Sequence, residues 1–199
     1  MADDYPQLLP NATADTLKAL ERFDVYAQPN FKPRSDFLDG AAPASETWHN
    51  GPNTLAAGSK TPYFVARNYG PKYLSTAAGF YEVIQPIVTP TQSDGNLTFG
   101  TINLARKPEG SEPPIYNFPG HSAYEALDGQ VVITIGTETA EMMIGDVAFV
   151  PGGTNFSYYG NASFTKMMYM AQGKQTLDQK LLETAVVWDS PVWPANYTT

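Results

Sequence analysis

An all-β fold, a jelly-roll barrel with a short helix near each end of the chain, is predicted by three observations. Short β-branched or aromatic runs recur through the middle of the sequence. Turn-forming pairs such as PN, DG, GP and GN separate them, within a chain that holds 16 glycines and 17 prolines. Helical periodicity is confined to two brief segments. Many short strands at such spacing, closed by a terminal helix, are the pattern of a barrel or double-sheet jelly roll.

The elements follow in order. Asp15 to Arg22 reads as a helix, with Leu17 and Leu20 on one face and Asp15 as N-cap. Strands are expected over 23–26, 63–66, 81–88, 97–104, 130–135, 146–150 and 164–170. Thr176 to Thr184 reads as a second helix. Thr176 and Gln179 stand at capping-box spacing, and Leu177, Leu181 and Leu182 form the apolar face. Residues 1–22 are expected to form an N-terminal extension with its short helix, and 23–199 a single barrel with a C-terminal helix and tail.

Composition narrows the function classes. A chain of 199 residues can bury a core without disulfides or metal, and with no cysteine it has no thiolate chemistry. A formal charge of −8, from 12 basic and 20 acidic residues, argues against nucleic acid as a partner. No window approaches the roughly 18 apolar residues of a membrane span, so no membrane insertion is expected. The N-terminus MADDYPQLLPNATADT is acidic and lacks the apolar stretch of a signal peptide. Yet Asn11, Asn96, Asn155, Asn161 and Asn196 all sit in Asn-x-Ser/Thr sequons, where roughly one or two would arise by chance. The expectation is a secreted or secretory-pathway glycoprotein whose leader has been removed.

Two segments carry the chemistry-bearing pattern. The first, Pro113 to Gly136, reads PPIYNFPGHSAYEALDGQVVITIG; the second, Gly145 to Asn161, reads GDVAFVPGGTNFSYYGN. In the second, Gly145, Pro151 and Gly153 are spaced as a turn into a strand followed by a corner. Period-two alternation puts Tyr116 with Phe118, Ser122 with Tyr124 and Ala126, and Phe156 with Tyr158 on common faces. His121 falls on the turn beside Ser122.

These spacings resemble the two motifs of the cupin superfamily. FDVYAQPNFKPRSD, GAAPASETWHNGPNTLA, PYFVARNYGPKYL, GDVAFVPGG and TLDQKLLE resemble, more closely, the C-terminal half of the fungal quercetin 2,3-dioxygenase bicupins, over about Phe23 to Pro194. In those enzymes the metal and the flavonol belong to the N-terminal half, and the C-terminal half is a metal-free barrel. The resemblance therefore implies a barrel without inherited dioxygenase activity. At the positions where cupins carry metal ligands this chain has Tyr116, Phe118, Ser122 and Phe156, so no metal and no cofactor is expected. Glu125 and Glu141 add carboxylates without a spacing that makes them converge.

The implied site is an aromatic slot for an apolar or aromatic small molecule. Tyr116 and His121 are the candidate catalytic residues, and Trp48, Phe118, Ser122, Tyr124, Phe156 and Tyr158 the candidate binding residues. His49 and Lys72, in segments shared with the quercetinase half, read as structural. The expected activity is a metal-independent cyclase of fungal secondary metabolism, of hetero-Diels–Alderase type, joining a quinone-methide-like diene to an alkene. A non-catalytic binding or structural cupin is the alternative, and a metal-dependent quercetinase-like dioxygenase the second. A homodimer is expected from scaffold logic, with GFYEVIQPIV as a sheet edge to be covered.

Overall fold

The computed structural model describes residues 48–49, 55, 64–65, 70–188, 190 and 193–194. The expected helix at 15–22 and strand at 23–26 lie outside these residues.

The strands are β1 (Trp48–His49), β2 (Phe64–Val65), β3 (Tyr73–Ser75), β4 (Glu82–Val88), β5 (Thr98–Ala105), β6 (Ser122–Asp128), β7 (Val131–Ile135), β8 (Glu138–Met142), β9 (Val147–Val150), β10 (Phe156–Gly160), β11 (Phe164–Ala171) and β12 (Val186–Val187). One helix, α1 (Leu177–Leu182), follows β11. Seven strands form an antiparallel sheet in the order β12-β3-β4-β5-β11-β6-β9, and β10-β7-β8 form a second antiparallel sheet. β1 and β2 pair in parallel.

Alternation decides which side chains meet between the sheets. Ser122, Tyr124 and Ala126 of β6 are buried while their neighbours are not, and β10 buries Phe156, Tyr158 and Gly160 in the same rhythm. β11 buries Thr165, Met167, Tyr169 and Ala171. Of these, Tyr124, Ala126, Phe156, Tyr158, Met167 and Tyr169 join Ile84, Ile102, Leu104, Val131 and Ile133 in one hydrophobic core. The chain passes from the large sheet to the small one at Gly129, which has a φ of +66°. A Cβ there would stand 2.3 Å from the Phe164 carbonyl oxygen, so the corner admits only glycine.

Two expectations are corrected here. The GFYEVIQPIV strand is no edge: β4 pairs with β3 on one side and β5 on the other. Its proline is accommodated by a register shift between Pro86 and Val88, where the missing N–H breaks no ladder. Thr176 precedes α1 as expected, but its side chain caps no backbone N–H. Its hydroxyl donates instead to Asp178 Oδ1 at 2.6 Å. Asp178 is fully buried and also accepts from Thr98 Oγ1 of β5 at 2.7 Å, which ties the helix to the sheet. Leu177 and Leu181 are buried beside it, and Leu182 is half-buried.

Candidate functional site

Five aromatic side chains converge between the sheets. Tyr116 reaches them from the segment before β6, held by an isolated bridge to Phe156 in which each residue's N–H donates to the other's carbonyl. Its ring lies 5.9 Å from that of Tyr158 and 6.1 Å from that of Phe118, both nearly parallel, and 5.7 Å from Phe156. Tyr124 closes the group, 5.3 Å from Phe156 and 6.5 Å from Tyr158. Such offset contacts are each worth about 0.5–1.5 kcal/mol beyond area burial. Tyr124, Phe156 and Tyr158 are buried, whereas Tyr116 and Phe118 are half-buried and form the side of the cluster that meets solvent.

Beneath this stack lies a carboxylate that the sequence reading did not single out. Glu82, the first residue of β4, is buried and accepts a hydrogen bond from the Tyr158 hydroxyl at 2.7 Å. Loss of hydration pushes its carboxyl up to about 7, although the Tyr158 hydrogen bond pulls the other way. Burial, and then the charge of Glu82, raises the Tyr116 and Tyr158 phenols, so both stay protonated at neutral pH. A side-chain hydrogen bond with Tyr158 pulls the other way on the Tyr116 phenol without cancelling its rise. Tyr116, Tyr158 and Glu82 therefore form a line from the half-exposed rim to a buried acid. The signal for Glu82 was available: it shares the inward face of its strand with Ile84 and Pro86, where a charged residue interrupts an apolar pattern.

A second polar group lies at the α1 side. Tyr169 and Tyr124 are direct cross-strand partners, both inward and buried. Their hydroxyls have no hydrogen bond among the described residues, although Thr98 and Ser122 respectively lie in range to act on them. A Cβ at Gly100 would meet the Tyr169 hydroxyl at 2.5 Å, so this ring lies directly on glycine backbone.

The other candidates fall as follows. Ser122 is buried beside Tyr124 on β6. His121 does not join the ring cluster. It is exposed, lies against Phe149 at 5.6 Å, and its Nδ1 accepts the Gly152 N–H at 3.0 Å. With the Gly153 N–H donated to the Phe118 carbonyl, it fastens the Pro151–Gly153 corner to the segment before β6. The side chains of Trp48 and His49 lie outside the described residues. Lys72 is buried, with Nζ 3.4 Å from the Gly70 carbonyl oxygen. Asn96, Asn155 and Asn161 are exposed, and Asn11 and Asn196 lie outside the described residues. A surface cleft of about 570 Å³ is lined by Arg106, Lys107, Tyr159 and Asn161, on the opposite face of β10 from the stack.

The donor set does not fit the metal that the cupin resemblance implies. Two of the four ligand positions are phenylalanines, and the others offer a phenol raised by burial and a hydroxyl. Among the described residues no three His, Asp or Glu side chains gather as a metal group. Glu82 and Asp178, both buried, are each hydrogen-bonded to hydroxyls.

No family model matches the chain. It is 42% identical over 186 residues to a quercetin 2,3-dioxygenase of Aspergillus japonicus, an alignment covering 92% of this chain and 53% of that protein. The chain thus spans about half the length of this relative. Among solved structures it is similar to the cupin domain of Schizosaccharomyces pombe Cnp3, at 18% identity and a TM-score of 0.40. That match covers 50% of this chain and 69% of the other. A cupin superfamily protein of Desulfitobacterium hafniense matches at 21% identity and a TM-score of 0.39, over 46% and 76% of the respective chains. The all-β cupin jelly roll and the similarity over 92% of this chain mark it as a relative of part of a quercetin 2,3-dioxygenase.

Proposed function

We propose that the chain is a metal-independent cyclase that takes an apolar or aromatic small molecule against the half-buried face of Tyr116 and Phe118. The observation that carries this reading is the line Tyr116–Tyr158–Glu82. A phenol at the rim of an aromatic stack is backed by a buried hydroxyl and a buried acid, so it can hydrogen-bond a carbonyl that gains negative charge during ring closure. Stacked rings hold a planar diene and its partner in a reactive pose, and a pericyclic step needs little else. No metal enters the reading, because the donor set described above does not fit one. The dioxygenase activity in the relative's name is for the same reason not proposed here.

The test is cycloaddition between an ortho-quinone methide, generated in solution, and an electron-rich alkene. Purified protein is expected to accelerate the reaction and to bias it towards one enantiomer. Tyr116→Phe is expected to lower the rate at least about tenfold. His121→Ala is expected to leave it unchanged, since that ring lies outside the stack. A racemic product at the uncatalysed rate would refute the reading. A second reading, a non-catalytic binding or structural cupin, is favoured by one observation: Tyr124, Phe156 and Tyr158 are each at most 3% exposed and pack on one another. Ligand retention without product would establish it.

We also propose passage through the secretory pathway, supported by the exposure of Asn96, Asn155 and Asn161 in their sequons.

A further inference from the structure

Glu82 has one hydrogen-bond partner among the described residues, the Tyr158 hydroxyl. A hydroxyl has a single proton, so the direction of that bond depends on which group supplies it. When Glu82 is ionised, Tyr158 must donate to the carboxylate. Its oxygen is then open to accept from Tyr116, whose own proton is drawn inward. When Glu82 is protonated, its buried O–H needs an acceptor, and the Tyr158 oxygen, 2.7 Å away, is within reach to become one. Tyr158 is then released to donate to the Tyr116 oxygen, and the Tyr116 proton turns outward.

We infer that Glu82 is a positioning residue whose protonation reverses the hydrogen bonds along Tyr158 and Tyr116, and so sets whether the rim phenol offers a ligand a donor or an acceptor. Protonated Glu82 selects ligands with a carbonyl or other acceptor; ionised Glu82 selects ligands with a hydroxyl to donate. The proposal rests on the preceding reading only for the ligand it selects, since the reversal itself needs none.

The surroundings of Glu82 make it the group that titrates. Among the described residues the ionisable side chains facing it are phenols: Tyr158 from β10 and Tyr116 from the segment before β6, with Tyr124 of β6 stacked on Tyr158. β3 and β5 place Ser75 and Leu104 opposite it. α1, which packs on β4, carries Asp178, whose carboxylate is bound by Thr98 and Thr176 and whose charge acts on Tyr124 and Tyr169. No basic side chain contributes to its environment among the described residues, and burial brings its carboxyl to about 7 while the phenols stay well above the working range.

The experiment is a Raman titration of the whole chain from about pH 5 to about pH 9. It reads the tyrosine doublet whose intensity ratio reports whether a phenol donates or accepts. Subtracting the Tyr116→Phe spectrum isolates the rim residue. The expected result is a shift of Tyr116 from donor-only at high pH to accepting at low pH, with a midpoint near 7, absent in Glu82→Gln. A flat titration of the wild type, or the same transition in Glu82→Gln, overturns the inference. Should Glu82→Gln not fold, Tyr158→Phe takes its place. It breaks the line while leaving Glu82, so loss of the transition supports the switch and its survival refutes it. Because no ligand is present, this result stands or falls apart from the cycloaddition test.

Discussion

An unfolded chain releases the Glu82 proton near 4.5, while the folded barrel holds it to about 7. The folded state therefore binds more protons between those values, and stability falls as pH rises through the window. Below the lower value the contribution is fully present, and above the upper it is lost. The shift corresponds to about 3 kcal/mol. Chemical denaturation across this range is expected to show a decline that Glu82→Gln removes; an unchanged slope in that variant would place the titration elsewhere. Glu82 was passed over because a glutamate among β-branched residues reads as solvent-facing, although its place on one face with Ile84 and Pro86 was there to be read. Tyr124, Phe156 and Tyr158 were legible because period-two alternation needs no tertiary information. His121 illustrates the opposite case. Its place on a turn beside Ser122 was legible, but nothing local could say that the ring would lie against Phe149 and take the Gly152 N–H.

Among the elements, α1 shows how a short helix is held without a cap. It is six residues long and would be unstable alone. Leu177 and Leu181 seat it on the barrel, and the buried bond from Thr98 to Asp178 fixes its first turn. Leu181→Ala is expected to cost about 2–5 kcal/mol, measured by denaturant unfolding. Thr98→Val is expected to cost about 1–3 kcal/mol by leaving Asp178 with one hydroxyl donor fewer. Costs below half a kcal/mol in both variants would mean that α1 is not fastened in this way. The sequence disclosed the helix and its leucines through their spacing. It did not disclose that Thr176 would turn to Asp178, because a capping-box pattern and a side-chain pair at i, i+2 use the same residue. The central position of β4 was equally unreadable, since edge or centre is decided by which strands return beside it.

For the molecule as a whole, the jelly roll was legible because turn signals and strand-length runs alternate throughout the described region, and the motif corners set the register of the inward rings. What the fold does with those rings is a matter of chemistry at one rim. The exposed sequon asparagines give a separate test of compartment: material secreted from a eukaryotic host is expected to lose mass on treatment with an N-glycosidase, and unchanged mass would contradict the secretory proposal. The measurement closest to the central claim is the rate and enantiomeric ratio of the quinone-methide cycloaddition with exhaustively chelated protein, beside Tyr116→Phe. Acceleration and enantiomeric bias that survive chelation and fall at least about tenfold in the variant are the predicted result. Activity that vanishes with chelation and returns with added metal, or that is indifferent to Tyr116, would contradict a metal-independent site at the aromatic stack.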